Sequence, residues 1–427
     1  MPLSVRLAIS LSIMATVLGL LNVFVLRRAT AAFGLSVRQR RIALAALAVP
    51  FAGTVLFRAT GRMLPVGFGQ SAAVAISAAE MGVVIAAVLL GVAALVRRIA
   101  AAAARVRQPV AVPAKEDPAI AMEGPAPAVA LPAAPAAENP AAPASPTPVA
   151  VTRRAFVEQA VTGSALLVGG ASAGYGALFG RHDYELSTVP VPIPGLSKAA
   201  DGFTIVQFSD IHLGMMVGEA EMRAAEELAR KAKGDLIVLT GDLVDHDPRY
   251  VEHLGRLVRR LAAITPVAAI PGNHDYYTGL DAVLGALRSA GATVLVNEAT
   301  TLLGDRGGFV LAGLDDFNGR ELGRGPDLDR ALAGVRSDAP RIVLCHNPRA
   351  FVDLAGQMAL QISGHTHGGQ VNVGIRPASV VLRHGFVAGL YESNGSRIYV
   401  NRGFGTAGPA ARVGAPPEVS RIVLVSA

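Results

Sequence analysis

The fold is decided by residues 203–212, Phe-Thr-Ile-Val-Gln-Phe-Ser-Asp-Ile-His, where an apolar run of strand length ends in an acid and a histidine. A short, continuous apolar run with β-branched and aromatic residues is typical of a strand that is buried on both faces. Asp210 and His212 follow this run directly, at the carboxyl end of the predicted strand. Ligands bind at that end in open α/β sheets.

The same pattern recurs through the rest of the carboxyl-terminal half. Strands are predicted at 203–209, 235–240, 266–270, 293–297, 309–314, 341–344, 360–363, 398–401 and 421–425, with helices at 219–232, 248–261 and 280–290. Buried strands that alternate with amphipathic helices predict an α/β or layered sandwich fold. The domain is expected to span residues 185–427, which is long enough for one sizeable core.

Potential metal ligands follow five of the core strands. They are Asp210-x-His212, Gly241-Asp242-x-x-Asp245, Gly272-Asn273-His274-Asp275, His346 and Gly364-His365-Thr366-His367. Alternation along a strand is expected to turn Asp210 and His212 the same way, and His365 and His367 likewise. Each fragment alone is common by chance, but the five in succession indicate one functional site.

Carboxylate, amide and imidazole ligands together favour Mn, Fe, Zn or Co over calcium, and they leave the identity of the metal open. The set of ligands is too large for one ion, so it predicts two divalent metal ions. The two ions would lie about 3.5–4 Å apart and share one carboxylate. Such a pair polarises phosphoryl oxygens and supplies hydroxide at neutral pH, which suits the cleavage of phosphate esters. Cys345 is the only cysteine, which excludes a disulfide framework and a cysteine-rich zinc site.

The five blocks together resemble the calcineurin-like metallophosphoesterase superfamily, over about residues 200–427. The resemblance implies a four-layer α/β/β/α sandwich with a dinuclear site at the strand ends. It also implies the metal ligands: Asp210, His212 and His367 for the first metal, Asp242 as the bridge, and Asn273, His346 and His365 for the second. His274 is then the side chain that donates to a phosphoryl oxygen or to the leaving group, and Asp245 orients it.

Two departures refine the resemblance. His246 stands where the phosphoprotein-phosphatase branch has an arginine, which argues against protein phosphatase activity. Residues 364–371 and 401–424 look more like a bacterial membrane-anchored branch, some members of which act on phosphodiesters or resemble UDP-2,3-diacylglucosamine hydrolases. The resemblance therefore implies hydrolysis of phosphodiester or pyrophosphate bonds, with lipid-linked and nucleotide-sugar substrates as candidates. Substrate choice is expected to lie in the loops 313–326 and 375–391.

The amino-terminal part has the composition of a membrane region. The 427-residue chain is 52% hydrophobic and 17% charged, against about 25% charged residues in soluble domains. Apolar runs at 7–26, 42–57 and 72–96 predict about three transmembrane helices within residues 1–100, and the second is the weakest because it is short and contains Pro50. Glu80 in the third run is interpreted as an acid near the interface, solvated by water, with a functional intramembrane acid as the alternative.

An Ala/Pro-rich linker is predicted at 101–152, because so many prolines prevent a continuous helix. A fourth apolar segment follows at 153–180 and begins Arg153-Arg154-Ala155-Phe156. It resembles a twin-arginine export signal, and the alternative is a plain fourth transmembrane helix.

The distribution of charge predicts the topology and the class of partner. Residues 1–180 hold 15 Lys/Arg against 6 Asp/Glu, whereas residues 181–427 hold 24 against 26. Loops rich in Lys/Arg stay in the cytoplasm, so four crossings place residues 185–427 on the periplasmic or extracytoplasmic side of the plasma membrane. The slight excess of acidic residues in the second half argues against a nucleic-acid partner. The predicted partners are therefore the membrane and a phosphoester substrate.

Two functions from different classes fit the sequence. One is a membrane-anchored dinuclear phosphoesterase, and the other is a membrane sensor or transporter whose second half binds phosphate without catalysis. All the expected ligands are present together with His274 and Asp245, whereas a decayed site usually loses ligands first, so the pattern favours the enzyme. Asp315-Asp316, at the end of a strand, is interpreted either as an extension of the site or as a pair of solvated carboxylates.

Overall fold

The computed structural model describes residues 3–63, 65, 69–106, 151–304, 308–335, 338–373, 382 and 384–427. Nearly all of the predicted linker lies outside the described residues, as do residues 374–381 and 383 of the second predicted specificity loop. The domain boundaries given above stay predictions.

Four long helices occupy the amino-terminal part: α1 (Leu3–Phe33), α2 (Val37–Thr60), α3 (Gln70–Val106) and α4 (Arg153–Leu178). Among the described residues, α1, α2 and α3 are the helices long and apolar enough to cross a membrane, so the prediction of three such helices is confirmed. The helix α2 continues through Pro50 for 24 residues. At 1.5 Å per residue it is longer than the roughly 30 Å hydrocarbon core, so the proline does not weaken its candidacy.

The helix α4 lies along α3 through small side chains. The buried face of α4 includes Ala165, Gly169 and Ala173. A Cβ atom on Gly169 would overlap the carbonyl oxygen of Gly82 on α3. Glycine and alanine allow two helices to approach closely, and that packing accounts for the weak apolar character of this segment.

Glu80 is buried between α1 and α3. Its exposed fraction is 3%, and Asn22 of α1 donates a hydrogen bond of 2.7 Å to its carboxyl group. The interpretation of Glu80 as a water-solvated acid is therefore wrong. The pair links two apolar helices, where a polar group needs a partner because water is excluded.

Residues 185–427 form two six-stranded sheets. The order in the first sheet is β1 (Glu185–Ile193), β12 (Glu418–Ser426), β2 (Thr204–Phe208), β3 (Leu236–Thr240), β4 (Val267–Ile270) and β5 (Thr293–Val294). The order in the second is β10 (Gly389–Ser393), β11 (Ser396–Val400), β9 (Leu360–Ser363), β8 (Arg341–Leu344), β7 (Phe309–Gly313) and β6 (Glu298–Leu302). The strands β2 to β5 are parallel, as are β7, β8, β9 and β11. Their carboxyl ends therefore meet at one edge of each sheet.

An apolar core fills the space between the two sheets. Ile205 and Val238 of the first sheet pack there with Leu311 and Ile362 of the second. The outer face of the first sheet carries α5 (Glu219–Ala232), α6 (Val251–Ala262) and α8 (Leu280–Ser289). The outer face of the second carries the short helices α9 (Leu328–Ala331) and α10 (Ala350–Leu354). These are the four layers α/β/β/α that were predicted.

The strands that sequence reasoning missed lie at sheet edges. The strand β1 contains Pro190 and Pro192 and pairs only with β12, and an edge strand tolerates proline because one side needs no hydrogen bonds. The edge strand β10 forms a hairpin with β11 through Asn394-Gly395, both with positive φ. The backbone twist of a two-residue turn with positive φ matches the twist of the two strands that it joins.

Candidate metal centre

The predicted ligands lie just beyond the strand ends in an uncommon backbone conformation. Asp210, His212, Asp242, His365 and His367 have φ between +50° and +72°. This left-handed region costs a non-glycine residue about 1–3 kcal/mol and persists where the surrounding structure enforces it. The strands β2 and β9 end at Phe208 and Ser363, so the expectation that strand alternation aligns these side chains is wrong. The loops after the strands bring them together instead.

One group of ligand atoms comes from Asp210, His212 and His367, whose donor atoms all lie within 4.8 Å of one another. The carboxylate Oδ1 of Asp210 is 3.3 Å from Nε2 of His367. The Nε2 atoms of His212 and His367 face each other at 3.0 Å. All three residues are buried.

A second group consists of Asp242, His346 and His365. Asp242 Oδ2 lies 3.2 Å from His346 Nε2 and 3.7 Å from His212 Nε2, so one carboxylate faces both groups. The side-chain oxygen of Asn273 is buried and has no hydrogen-bond partner among the described residues. The next residue, His274, donates its amide to Asp242 Oδ1 at 2.7 Å, so Asn273 is close in the chain to a contact with this group. A buried, unpartnered amide oxygen fits a ligand of a divalent cation.

The protonation states of Asp210, Asp242, His365 and His367 suit cation binding. His346 differs, because burial alone would lower its pKa but the Asp242 carboxylate raises it well above its ordinary value. Burial alone would raise the pKa values of Asp210 and Asp242, but the histidines beside them, His367 and His346, lower them. Burial lowers the pKa of His365 and of His367 to about 4. Ionised carboxylates and neutral imidazoles are the forms that bind metals.

Asp245 holds two imidazoles beside the ligand groups. Its Oδ1 atom is 3.0 Å from Nδ1 of His274 and 2.8 Å from Nδ1 of His246. Burial alone would lower the pKa of His274, but the hydrogen bond to Asp245 raises it. His274 lies in the first turn of the helix α7 (Asn273–Thr278), so helical geometry, and not strand alternation, separates its side chain from that of Asn273.

Two further residues support the site and were missed by sequence reasoning. Asp275 is buried and accepts hydrogen bonds from the backbone of Leu243, Val244 and Gly272, which fixes the loop that carries Asp242. Arg412 is buried and donates to several backbone carbonyls, and its Nη2 atom lies 3.2 Å from Nδ1 of His367. Asp275 belongs to the third sequence motif, Gly272-Asn273-His274-Asp275, and its place there could have identified it from the sequence. Nothing local marks Arg412.

Other candidates from the sequence are now placed. Asp315 and Asp316 are buried, so the interpretation as solvated carboxylates is wrong. Tyr276 donates to Asp315 at 2.5 Å, and the ring of Tyr277 stacks on His246 with centroids 5.5 Å apart. Cys345 is buried, and burial raises the pKa of its thiol, so it packs as a small apolar side chain.

The rim of the site touches the end of the helical region. Arg249, four residues beyond Asp245, donates to the carbonyl of Gly61 at 3.1 Å. A Cβ atom on Gly61 would lie 2.7 Å from Met215, which follows His212 closely in the chain. The amide of Ala410 donates to Ser77 of α3 at 3.1 Å. The ligand loops and Gly61, at the end of α2, are therefore neighbours.

Known proteins resemble the chain over this same region. A model of the calcineurin-like phosphoesterase family matches residues 203–369. The chain is 32% identical over 280 residues to a transmembrane protein with metallophosphoesterase domain from Danio rerio, and the alignment covers 62% of each, so the chain spans less than two thirds of that relative. It is 33% identical over 286 residues to the uncharacterized metallophosphoesterase YkuE of Bacillus subtilis, covering 65% of this chain and 98% of that protein.

Among solved structures, a dimetal phosphatase from Danio rerio aligns with 53% of this chain and 93% of its own, at 12% identity and a TM-score of 0.34. The similarity to YkuE extends over nearly the whole of that protein. The chain belongs to the calcineurin-like phosphoesterase family, the metallophosphoesterases.

Proposed function

We propose that the chain is a membrane-anchored phosphoesterase that uses two divalent metal ions to hydrolyse phosphodiester or pyrophosphate bonds. The observation that carries this proposal is the position of Asp242, whose carboxylate faces His346 of one ligand group and His212 of the other. One carboxylate shared between two histidine-containing groups is the arrangement that a two-metal site requires.

The ligands divide between the two ions as the family resemblance implies. Asp210, His212 and His367 would hold the first ion, Asn273, His346 and His365 would hold the second, and Asp242 would serve both. When bound, such a pair of ions supplies a Lewis acid for the phosphoryl oxygens and a nucleophile at neutral pH. Mn, Fe, Zn and Co all suit these ligands.

His274 is the proton donor in this proposal. Its Nδ1 atom faces the Asp245 carboxylate, which stabilises the imidazolium and orients the ring. The Nε2 proton is then available for a phosphoryl oxygen or for the leaving group. Asp245 acts through His274 and is a positioning residue.

The substrate is proposed to be a lipid-linked phosphoester. The rim of the site contacts the α2–α3 connection through Arg249 and Met215, and side chains on α1 and α2 such as Leu20 and Leu44 are exposed and apolar. An amphiphile at the membrane surface can therefore bring its phosphate to the ligand loops. UDP-2,3-diacylglucosamine is disfavoured by an extracytoplasmic domain, because UDP-linked lipids are made on the cytoplasmic side.

The first test is Asp242→Asn in the full chain in detergent, loaded with Mn and assayed on bis-p-nitrophenyl phosphate. We expect hydrolysis to be abolished and at least one metal ion to be lost, because the carboxylate contacts both ions. Asp281→Asn on the exposed start of α8 is the matched control and should retain both metal and activity. Full activity with two bound ions in Asp242→Asn would refute the dinuclear assignment.

The substrate class is tested in the same preparation with short-chain and long-chain phospholipid substrates in mixed micelles. A lipid-linked substrate predicts that, at a fixed bulk concentration of phosphoester, the rate of hydrolysis rises with the mole fraction of phosphoester in the micelle. An equal rate on a water-soluble analogue with the same head group would count against it.

A further inference from the structure

A short 3-10 helix lies next to the second ligand group. This 3-10 turn, Phe317–Leu322, begins after Asp316, whose side chain accepts a hydrogen bond of 2.8 Å from the amide of Asn318. The side chain of Asn318 donates to the carbonyl of Asn273 at 3.4 Å. The turn is thus joined directly to a predicted metal ligand.

Two arginines share the aromatic ring of this turn. The guanidinium carbon of Arg320 lies 4.6 Å from the centroid of Phe317, and that of Arg349 lies 5.6 Å from it. Arg349 is three residues beyond the ligand His346. Both guanidinium groups therefore lie against one ring, on two segments that contact or carry predicted ligands of the second group.

Neither arginine has an acidic partner within the described part of the chain. Other arginines of the domain differ: Arg324 lies 3.6 Å from Asp315, and Arg402 pairs with Glu418 at 3.1 Å. Two like charges near one another repel, and an anion that bridges them removes the repulsion. The planar guanidinium groups match the oxygens of a phosphate.

The turn is held in place by its neighbours. Tyr276 donates to Asp315 and also accepts from Arg324, which ties the turn to α7. Gly325 lies against the side chain of Arg320, since a Cβ atom there would come within 2.7 Å of Arg320 Cγ. A charged side chain that is already held in place loses less conformational entropy when it binds a ligand.

We propose that Arg320 and Arg349 form an anion subsite that binds a second phosphate group of the substrate, beyond the bond that is cleaved. The inference rests on the proposed hydrolysis at the adjacent ligand groups. Arg320, Arg349 and Phe317 are then specificity-determining residues.

The test compares two substrates that differ by one phosphate: the p-nitrophenyl ester of thymidine 5′-phosphate and the same ester with a 3′-phosphate. With the full chain in detergent, kcat/KM is expected to favour the 3′-phosphorylated ester by roughly tenfold. Arg320→Ala and Arg349→Ala should each reduce this preference several-fold, mainly through KM, and the double variant should remove it. Arg320→Lys should retain part of it, because the charge remains.

Arg288→Ala is the matched control, since this exposed arginine lies in the last turn of α8, at the opposite end of the strands. It should leave the preference unchanged. Equal kcat/KM values for the two esters in the unaltered chain, or a preference that survives the double variant, would overturn the subsite.

Failure of the proposed function is separable from failure of the subsite. If the unaltered chain cleaves neither ester, the phosphoesterase proposal fails, and calorimetry with thymidine 3′,5′-bisphosphate and thymidine 5′-phosphate decides the subsite alone. The subsite predicts tighter binding of the bisphosphate, lost in the double variant. Equal affinity for the two nucleotides would refute it.

Discussion

His274 contacts Asp245 but is not among the predicted metal ligands, so its chemistry can be separated from metal binding. We expect His274→Asn to lower turnover by about a hundredfold to ten-thousandfold, the usual contribution of a positioned acid. Metal content should stay unchanged, and Asp245→Asn should show a smaller defect of the same kind. Kinetics with alkyl and nitrophenyl esters, alongside metal analysis, measure both effects.

The leaving group decides between two roles for His274. If it protonates the leaving group, poor leaving groups such as alkoxides suffer more than nitrophenolate, which departs without a proton. Equal losses would mean that His274 stabilises phosphoryl charge. Loss of a metal ion would make it a ligand and refute its assignment as the acid.

Glu221 gives a pH-dependent contribution to stability, remote from the metal centre. Arg181, which follows α4, donates to its carboxylate at 2.8 Å, and His182 lies 3.1 Å from it. Burial alone would raise the pKa of Glu221, but the hydrogen bonds of His182 and of the Gly218 amide lower it to about 2. A carboxyl group whose pKa is lowered on folding stabilises the protein above its unfolded pKa, and this contribution is lost as the pH falls.

We therefore expect Glu221→Gln to cost about 3 kcal/mol of unfolding free energy at pH 7. The difference from the unaltered chain should shrink by about 1 kcal/mol at pH 3.5, because the carboxylate is then partly protonated in the unfolded state. Urea unfolding of the full chain in metal-free detergent solution measures both values. Glu226→Gln on the same helix removes only a surface pair with Arg230 and should cost less than about 0.5 kcal/mol.

At the scale of elements, the contact between α3 and α4 depends on the lack of side chains at particular glycines. Gly169 faces the backbone of Gly82, whereas a Cβ atom on Gly174 of the same helix would have nothing within 4 Å. Replacing an open helical glycine by alanine gains up to about 1 kcal/mol in helix propensity. Replacing a packed one forces the two helices apart.

Gly174→Ala should therefore raise the thermal unfolding midpoint in detergent slightly, and Gly169→Ala should lower it. The same chemical change at two sites of one helix thus gives opposite signs. If both variants shift the midpoint in the same direction, the close packing of α4 on α3 is wrong.

At the scale of the whole molecule, the helices place the arginine-rich connections at one end and the catalytic half at the other. The α2–α3 connection contacts the catalytic half through Arg249 and Gly61, so the turn after α1, with Arg38 and Arg40 close by, is a helix length away. The helix α4 begins at Arg153 and ends next to β1. This arrangement supports the predicted topology, because basic loops stay in the cytoplasm.

We expect residues 185–427 to face the periplasm or the cell exterior. Protease added to intact spheroplasts should degrade them, while an epitope inserted in the turn between α1 and α2 should be protected until the membrane is permeabilised. This measurement does not depend on whether export is Sec-dependent or uses the twin-arginine route. A protected catalytic half would refute the orientation.

The local pattern of apolar and polar residues in the sequence determined a large part of this architecture. The core strands β2, β3 and β4 were predictable because a buried strand needs a continuous apolar run, and α5 because its apolar face recurs at helical spacing. The clustering of Asp and His side chains beyond the strand ends was predictable because these residues follow the strands in a recognisable order. Three apolar helices were predictable from length and hydropathy.

Tertiary structure alone decided how these residues act together. Asp210 and His367 adopt a left-handed backbone conformation, and Asp242 lies between the two ligand groups. Both features depend on loops whose conformation is set by the segments packed around them. Arg412 meets His367 across 45 residues, and Asn22 meets Glu80 across 58. A sequence pattern shows periodicity over a few neighbouring residues. These contacts arise only when segments distant in sequence pack together and exclude water, so the sequence alone does not reveal them.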